Sequence, residues 1–190
     1  MVILVDMDDT IELLVKAWVA GVNEKYGRSV PVSEVRSWDV SAAFPGLTRQ
    51  QVYDVPFQPG FWKTVEPMEG AAEALQRMIA AGHEVFIVTA TPYEVMFEKM
   101  SEVLFRYFPF LTWDQVIVTS RKQLIRGDVL IDDGIHNLEG GQYRKILMTA
   151  HHNLYYDAEA NGMVRVRTGE EVEQVIAQME RERAAAGRAD

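Results

Sequence analysis

Apolar residues in this chain follow two spacings, and the two alternate along it. Short runs at Val2 to Val5, Glu84 to Val88, Val116 to Val118, Val129 to Ile131 and Ile146 to Met148 are apolar on successive residues after the leading Glu84 of the second, as in strands buried on both faces of a parallel sheet. Between them lie stretches of helical spacing. Ile11 to Tyr26 sets Leu14, Trp18 and Val22 on one face, with Gly27 as a stop. Ala71 to Ala81 groups Leu75, Met78 and Ile79 before Gly82, and Pro92 suits the first turn of a helix reaching Phe108. Thr168 and Glu171 have capping-box spacing ahead of Val172, Val175, Ile176 and Met179. The tail RERAAAGRAD has little to bury and is expected to fray.

Residues 28–66 have a different texture. They hold Pro31, Pro45, Pro56 and Pro59 and the aromatics Trp38, Phe44, Tyr53, Phe57, Phe61 and Trp62, with only short helical patterns. The expected fold is therefore α/β, with a Rossmann-like, mostly parallel sheet covered by helices on both faces. Residues 1–13 and 67–190 would form the core, and residues 14–66 a small helical cap inserted after the first strand. A length of 190 residues suits one domain with a small insertion.

Composition narrows the chemistry. There is no cysteine, which excludes disulfides, thiolate metal sites and a cysteine nucleophile. With 19 basic and 28 acidic side chains the formal charge is −9, which gives no long-range attraction for a nucleic-acid polymer or an anionic membrane. A local site can still take a small anion, especially with a divalent cation. No apolar run is long enough to span a bilayer, and MVILVDMDDT lacks the basic start of a signal peptide. The expected location is cytoplasmic. Gly140-Gly141 reads as a turn rather than a phosphate loop, and the charged stretch from Glu170 to Arg183 as a solvated helix face.

The strand ends carry the reactive residues, where ligands bind in parallel sheets. Asp6, Asp8, Asp9 and Thr10 follow the first strand, Thr89 and Thr91 the second, Thr119, Ser120, Arg121 and Lys122 the third, and Asp132 and Asp133 the fourth. Clustered carboxylates repel unless a cation sits among them, and hard oxygen donors suit Mg²⁺ together with a substrate phosphate. Lysine and threonine suit phosphoryl oxygens. One carboxylate is left as nucleophile and another for proton transfer. Taken singly, an Asp after a strand is more often a turn or cap residue; the ordered set is what points to catalysis. His151 and His152 read as structural or loop residues.

The motifs DMDDT, FIVTATP, Lys122 and GDVLIDD stand in the order found in the haloacid dehalogenase superfamily, which the chain resembles. A two-component receiver domain uses similar residues, but here the acidic pair follows the lysine, against that reading. The stretches GFWKTVEPMEGAAEAL, KQLIRGDVLIDDGIHNLEG and ILMTAHHN narrow the resemblance to the 5'(3')-deoxyribonucleotidases. That resemblance implies hydrolysis of deoxynucleoside monophosphates, a small-molecule substrate and a homodimer, although no stretch of the sequence itself marks an interface. It implies Asp6 as nucleophile and Asp8 as general acid and base. Asp6, the Asp8 backbone carbonyl and Asp132 would bind Mg²⁺, with Asp133 orienting from outside, and Thr89 and Lys122 would hold the phosphate. Thr91, Leu14, Trp38, Tyr53, Phe57 and Phe61 would contact the substrate, though each cap aromatic could equally be cap core. Asp9 stands where the relatives usually have Gly, and either faces solvent or caps the next helix. Leu14 replaces an aromatic of the mammalian enzymes, and Thr89-Ala90-Thr91-Pro92 replaces their Thr-Ser-Pro. The alternatives are a phosphatase of the same fold acting on another small phosphate ester and, further off, a non-catalytic phosphate sensor.

Overall fold

The computed structural model describes residues 1–186. Six strands form one sheet: β1 Val2–Val5, β2 Glu84–Thr89, β3 Val116–Val118, β4 Val129–Asp132, β5 Arg144–Met148 and β6 Met163–Val166. Every pairing is parallel, in the order β3-β2-β1-β4-β5-β6. The helices are α1 Leu14–Tyr26, α2 Arg49–Tyr53, α3 Ala71–Ala80, α4 Tyr93–Lys99, α5 Phe105–Tyr107, α6 Ile135–Leu138 and α7 Gly169–Ala186. The chain winds outward from β1 through β2 to β3, then returns to lay β4 on the other side of β1. The order therefore reverses at β1, and the carboxyl ends of β1 and β4 border the crevice where such sheets bind ligands.

The two-residue alternation of a strand sorts the core. Ile3, Val5, Ile87, Val129, Ile131, Ile146 and Met148 face one side, where α3 and α7 bring Ala74, Leu75, Met78, Val172, Ile176 and Met179. Leu4, Val88, Leu130 and Leu147 face the other, which is covered more thinly by Leu138 of α6 and by Tyr143, Ala158 and Met163. Residues 28–66 fold into α2 and short 3-10 turns, and Val52, Val55 and Phe61 continue the first of these clusters. No described helix is long and apolar enough to cross a membrane.

Several elements differ from the sequence expectation. β6 was not anticipated: Arg165 interrupts its apolar pattern, because the strand lies at the sheet edge and Arg165 turns to the carbonyls of Asn153 and Tyr156. α1 starts at Leu14 rather than Ile11, because Ile11 still belongs to the turn closed on Met7 O and the chain then pairs with the returning segment, with Leu13 N–H on Glu66 O and Met68 N–H on Ile11 O. The helix from Pro92 to Phe108 is not uniform; after α4 it widens into a π turn at Met100–Leu104. Of the tail, residues through Ala186 continue α7, and residues 187–190 lie outside the described part.

Candidate active site

Asp6 ends β1, and its N–H donates to Ile131 O at 2.8 Å, which sets it level with Asp132 at the end of β4. Lys122 enters from the turn after β3 with only 1% exposure, and its ammonium donates to Asp6 Oδ1 and, at 2.7 Å, to Asp132 Oδ2. The other Asp132 oxygen accepts from Gly134 N–H at 2.7 Å and Asn137 Nδ2 at 3.0 Å. The turn is close-packed: a Cβ at Gly134 would lie 2.8 Å from Asn137 Nδ2 and 3.0 Å from Asp132 Oδ1.

Burial pushes the Asp6 carboxyl up to about 7, with Asp132 adding to the shift and Lys122 opposing it. Burial, then Asp6 and Asp132, holds Asp133 well above the ordinary carboxylate range. Burial by itself would lower Lys122, but Asp6 and Asp132 outweigh it and keep the ammonium charged. One lysine thus faces three carboxylates, an excess of negative charge that a cation would relieve. Oxygens of Asp6, Asp132 and Asp133 lie within 4.8 Å of one another. Asp133 Oδ1 is buried with no hydrogen-bond partner in the protein. A compact set of hard oxygens with one left unpaired fits Mg²⁺.

Asp8 serves a second cluster. It is half-buried and pairs with Lys99 Nζ at 2.5 Å. Lys99 also donates to Thr91 Oγ1 at 3.1 Å and Thr89 Oγ1 at 3.2 Å, and lies 5.1 Å over the Trp62 ring. Burial would raise the Asp8 carboxyl, but the Lys99 charge beside it helps bring it below its ordinary value. Glu12 is completely buried, bridges Asp8 and Pro67 through its backbone, and is held well above the ordinary range by burial and then by Asp8. Lys99 escaped the sequence reading, yet it carried a signal. Val95, Lys99 and Val103 are four residues apart, which places a lysine in a buried apolar stripe.

Of the two roles left open for Asp9, the structure shows the cap: both carboxylate oxygens accept from Val15 N–H at 3.2 Å. Its φ is +51°, a left-handed conformation that Asp tolerates better than most residues. Burial pushes its carboxyl up to about 8 against the opposing Val15 hydrogen bond.

Beside these clusters opens a cavity of about 330 Å³. Asp8, Thr91, Lys99 and Asp133 line its reactive side, and Leu14, Trp38, Tyr53 and Phe57 its aromatic side. Trp18 and Trp62, which the sequence reading did not assign, line it too. Trp18 meets Tyr53 edge-on at 4.9 Å, and Trp62 carries a buried indole N–H without a partner. Phe61 does not reach the cavity, against expectation. It follows the left-handed Gly60 and meets Trp62 edge-on at 5.4 Å, with its far edge toward Gly21 of α1. There it borders a separate groove of about 570 Å³ that contains none of Asp6, Asp8 or Asp132. His152 is more than a loop residue: it lines the cavity, sits 3.2 Å from the Asp133 carbonyl and packs edge-on against Trp38 at 5.1 Å. Trp38 also meets His136 at 4.6 Å.

Known proteins match this chain along most of its length. The family model for 5' nucleotidase, deoxy (pyrimidine), cytosolic type C protein matches residues 1–182. A 5'(3')-deoxyribonucleotidase of Clostridium acetobutylicum is 31% identical over 163 residues, 86% of this chain and 87% of that protein. One of Bacillus subtilis is 30% identical over 179 residues, 92% of this chain and 98% of that protein. Among solved structures, a predicted phosphatase from Clostridium acetobutylicum superposes with a TM-score of 0.64 at 16% identity, covering 93% of this chain and 97% of that one. A haloacid dehalogenase family hydrolase from Deinococcus radiodurans, solved with bound phosphate and sodium, gives 0.61 at 18% identity, covering 93% and 95%. At these identities the structural matches speak for the fold.

Proposed function

The chain belongs to the 5' nucleotidase, deoxy (pyrimidine), cytosolic type C family and is a phosphoric monoester hydrolase; from that premise we propose that it is a Mg²⁺-dependent 5'(3')-deoxyribonucleotidase acting through an aspartyl-phosphate. The observation that carries this reading is the placing of two carboxyl groups with separate partners, Asp6 on Lys122 and Asp8 on Lys99, beside an aromatic cavity.

Asp6 attacks phosphorus, and the deoxyribose oxygen leaves with a proton from Asp8. Asp8 then takes a proton from water, which attacks the aspartyl-phosphate, releases inorganic phosphate and restores Asp6. In the free enzyme Asp8 is ionised; the arriving phosphate dianion raises its proton affinity, and the carboxylate takes up a proton from solvent before it acts as the acid. Lys122 keeps Asp6 aligned and balances its charge, and the Thr89 and Thr91 hydroxyls donate to phosphoryl oxygens. Asp6, Asp132, the Asp8 carbonyl and Asp133 would hold Mg²⁺, whose charge offsets that of the phosphate dianion. Residues 14–66 act as the cap, and Leu14, Trp38, Tyr53 and Phe57 bind the nucleoside. A stacked aromatic contributes about 1–3 kcal/mol per base.

A panel of phosphomonoesters, assayed with Mg²⁺ and with EDTA, tests the proposal. Deoxynucleoside monophosphates should be turned over best, and only with the metal. Equal or faster hydrolysis of sugar phosphates would reject the nucleotidase assignment.

A further inference from the structure

We infer that Lys99 is a positioning residue, dedicated to the acid–base carboxylate Asp8 as Lys122 is to the nucleophile. An ammonium has three N–H donors. Those of Lys99 reach Thr91 Oγ1 at 3.1 Å and Thr89 Oγ1 at 3.2 Å, and the same ammonium forms an ion pair with Asp8 Oδ1 at 2.5 Å. The Trp62 ring lies beside it, and only 1% of the residue is exposed. Neither Asp6 nor Asp132, the two partners of Lys122, is among its partners.

The local fold explains the arrangement. Lys99 closes α4, and the backbone widens at once into the π turn Met100–Leu104. Such widenings recur at functional sites. Here the turn lets one helix keep Met100, Val103 and Leu104 in the core while its lysine reaches the cavity. Asp8 itself stands on a half-buried turn after β1, where a carboxylate would otherwise sample several rotamers. Anchored to Lys99, it is tied to the same ammonium as the hydroxyls assigned to the phosphate. Lys99 therefore sets the distance from the acid to the phosphoryl group. Proton donation to the leaving oxygen then has a fixed geometry, worth about 10²–10⁴-fold in such catalysis.

The inference rests on the phosphatase mechanism proposed above, and leaving-group dependence tests it. Deoxynucleoside monophosphates expel a basic alkoxide that needs a proton, whereas 2,4-dinitrophenyl phosphate expels a stable anion that does not. With Mg²⁺, Lys99→Met should lower kcat/KM by about 100-fold on the nucleotide and by less than about 10-fold on the aryl ester. In an Asp8→Asn background the same change should cost the nucleotide reaction less than about 3-fold, since residues acting as one unit are not additive. Equal losses on both esters, or fully additive losses in the double variant, would overturn the inference and make Lys99 a phosphate-binding or structural cation. If Lys99→Met does not fold, Lys99→Gln carries the same comparison. The substrate reading fails separately. Should the wild type prefer another alkyl phosphate, that ester replaces the nucleotide and its ratio to the aryl ester still decides the role of Lys99.

Discussion

The acidic centre and the aromatic wall of the cavity beside it are built on different principles. In the centre, Asp6 and Asp132 stand at the ends of the adjacent strands β1 and β4 and Lys122 in the turn after β3, and each is fixed by a hydrogen bond or ion pair. In the wall, Leu14, Trp38, Tyr53 and Phe57 come from α1, α2 and short turns; Trp38 is 54% exposed and Phe57 46%. A parallel sheet fixes its strand ends to within a hydrogen bond, whereas a succession of one-turn helices fixes its side chains only by mutual packing. The centre should therefore govern the chemical step and the wall should govern binding, and kinetics can separate the two.

The largest effect belongs to the centre. Asp6→Asn should lower kcat at least about 10³-fold with little change in KM, measured with a deoxynucleoside monophosphate and Mg²⁺. Retention of most activity would break the comparison at its root. Trp38→Ala should act the opposite way. It should raise KM by about 5- to 150-fold, the equivalent of one lost stack, and leave kcat within a few-fold. A fall in kcat at constant KM would mean that the wall, through His152 and Asp133, takes part in the chemistry.

A smaller effect is read in stability against pH. The folded-state value of Asp6 is raised from 3.8 to about 7. Between about pH 4 and pH 7 the folded chain therefore keeps a proton that the unfolded chain has released, and this group's contribution to stability falls as pH rises through that window. Mg²⁺ favours the ionised form, so the rise in Tm that it produces should be larger at pH 8 than at pH 5.5. An equal rise at both would show that Asp6 is not part of the metal site. The smallest effect on turnover is expected from Phe61→Leu, which trims packing against Gly21 and Val55. Tm should drop, while KM and kcat of the folded protein stay within about 2-fold, as volume-reducing core changes do elsewhere. A change in KM would return Phe61 to the substrate wall.

The same contrast governs what could be read in advance. Strand ends are legible, because an apolar run that stops at an Asp puts that carboxylate at the sheet edge whatever the rest of the chain does. Asp6, Thr89, Asp132 and Asp133 were found in this way. The wall was partly legible. Leu14, Trp38, Tyr53 and Phe57 reach the cavity, but neighbours in a 3-10 turn diverge by a third of a revolution, so nothing in the letters distinguishes Phe61 from Trp62. Trp18 and Lys99 lie within helices, where a tryptophan reads as core and a lysine as surface until the packing is known. β6 was missed because an edge strand with Arg165 need not be apolar on both faces. Asp9 could be placed only once the start of α1 was seen to depend on its carboxylate.

The central claim is that Asp6 carries the phosphoryl group. Asp8→Asn should slow hydrolysis of that intermediate, so the variant can be mixed with substrate and Mg²⁺, quenched in acid and digested for mass spectrometry. With 2,4-dinitrophenyl phosphate as the substrate, whose leaving group needs no proton from Asp8, the account predicts a phosphoryl group on the peptide containing Asp6, lost with hydroxylamine, and homoserine at that position after borohydride reduction. Phosphate found on another side chain, or turnover with no phosphorylated peptide at any time, would contradict it.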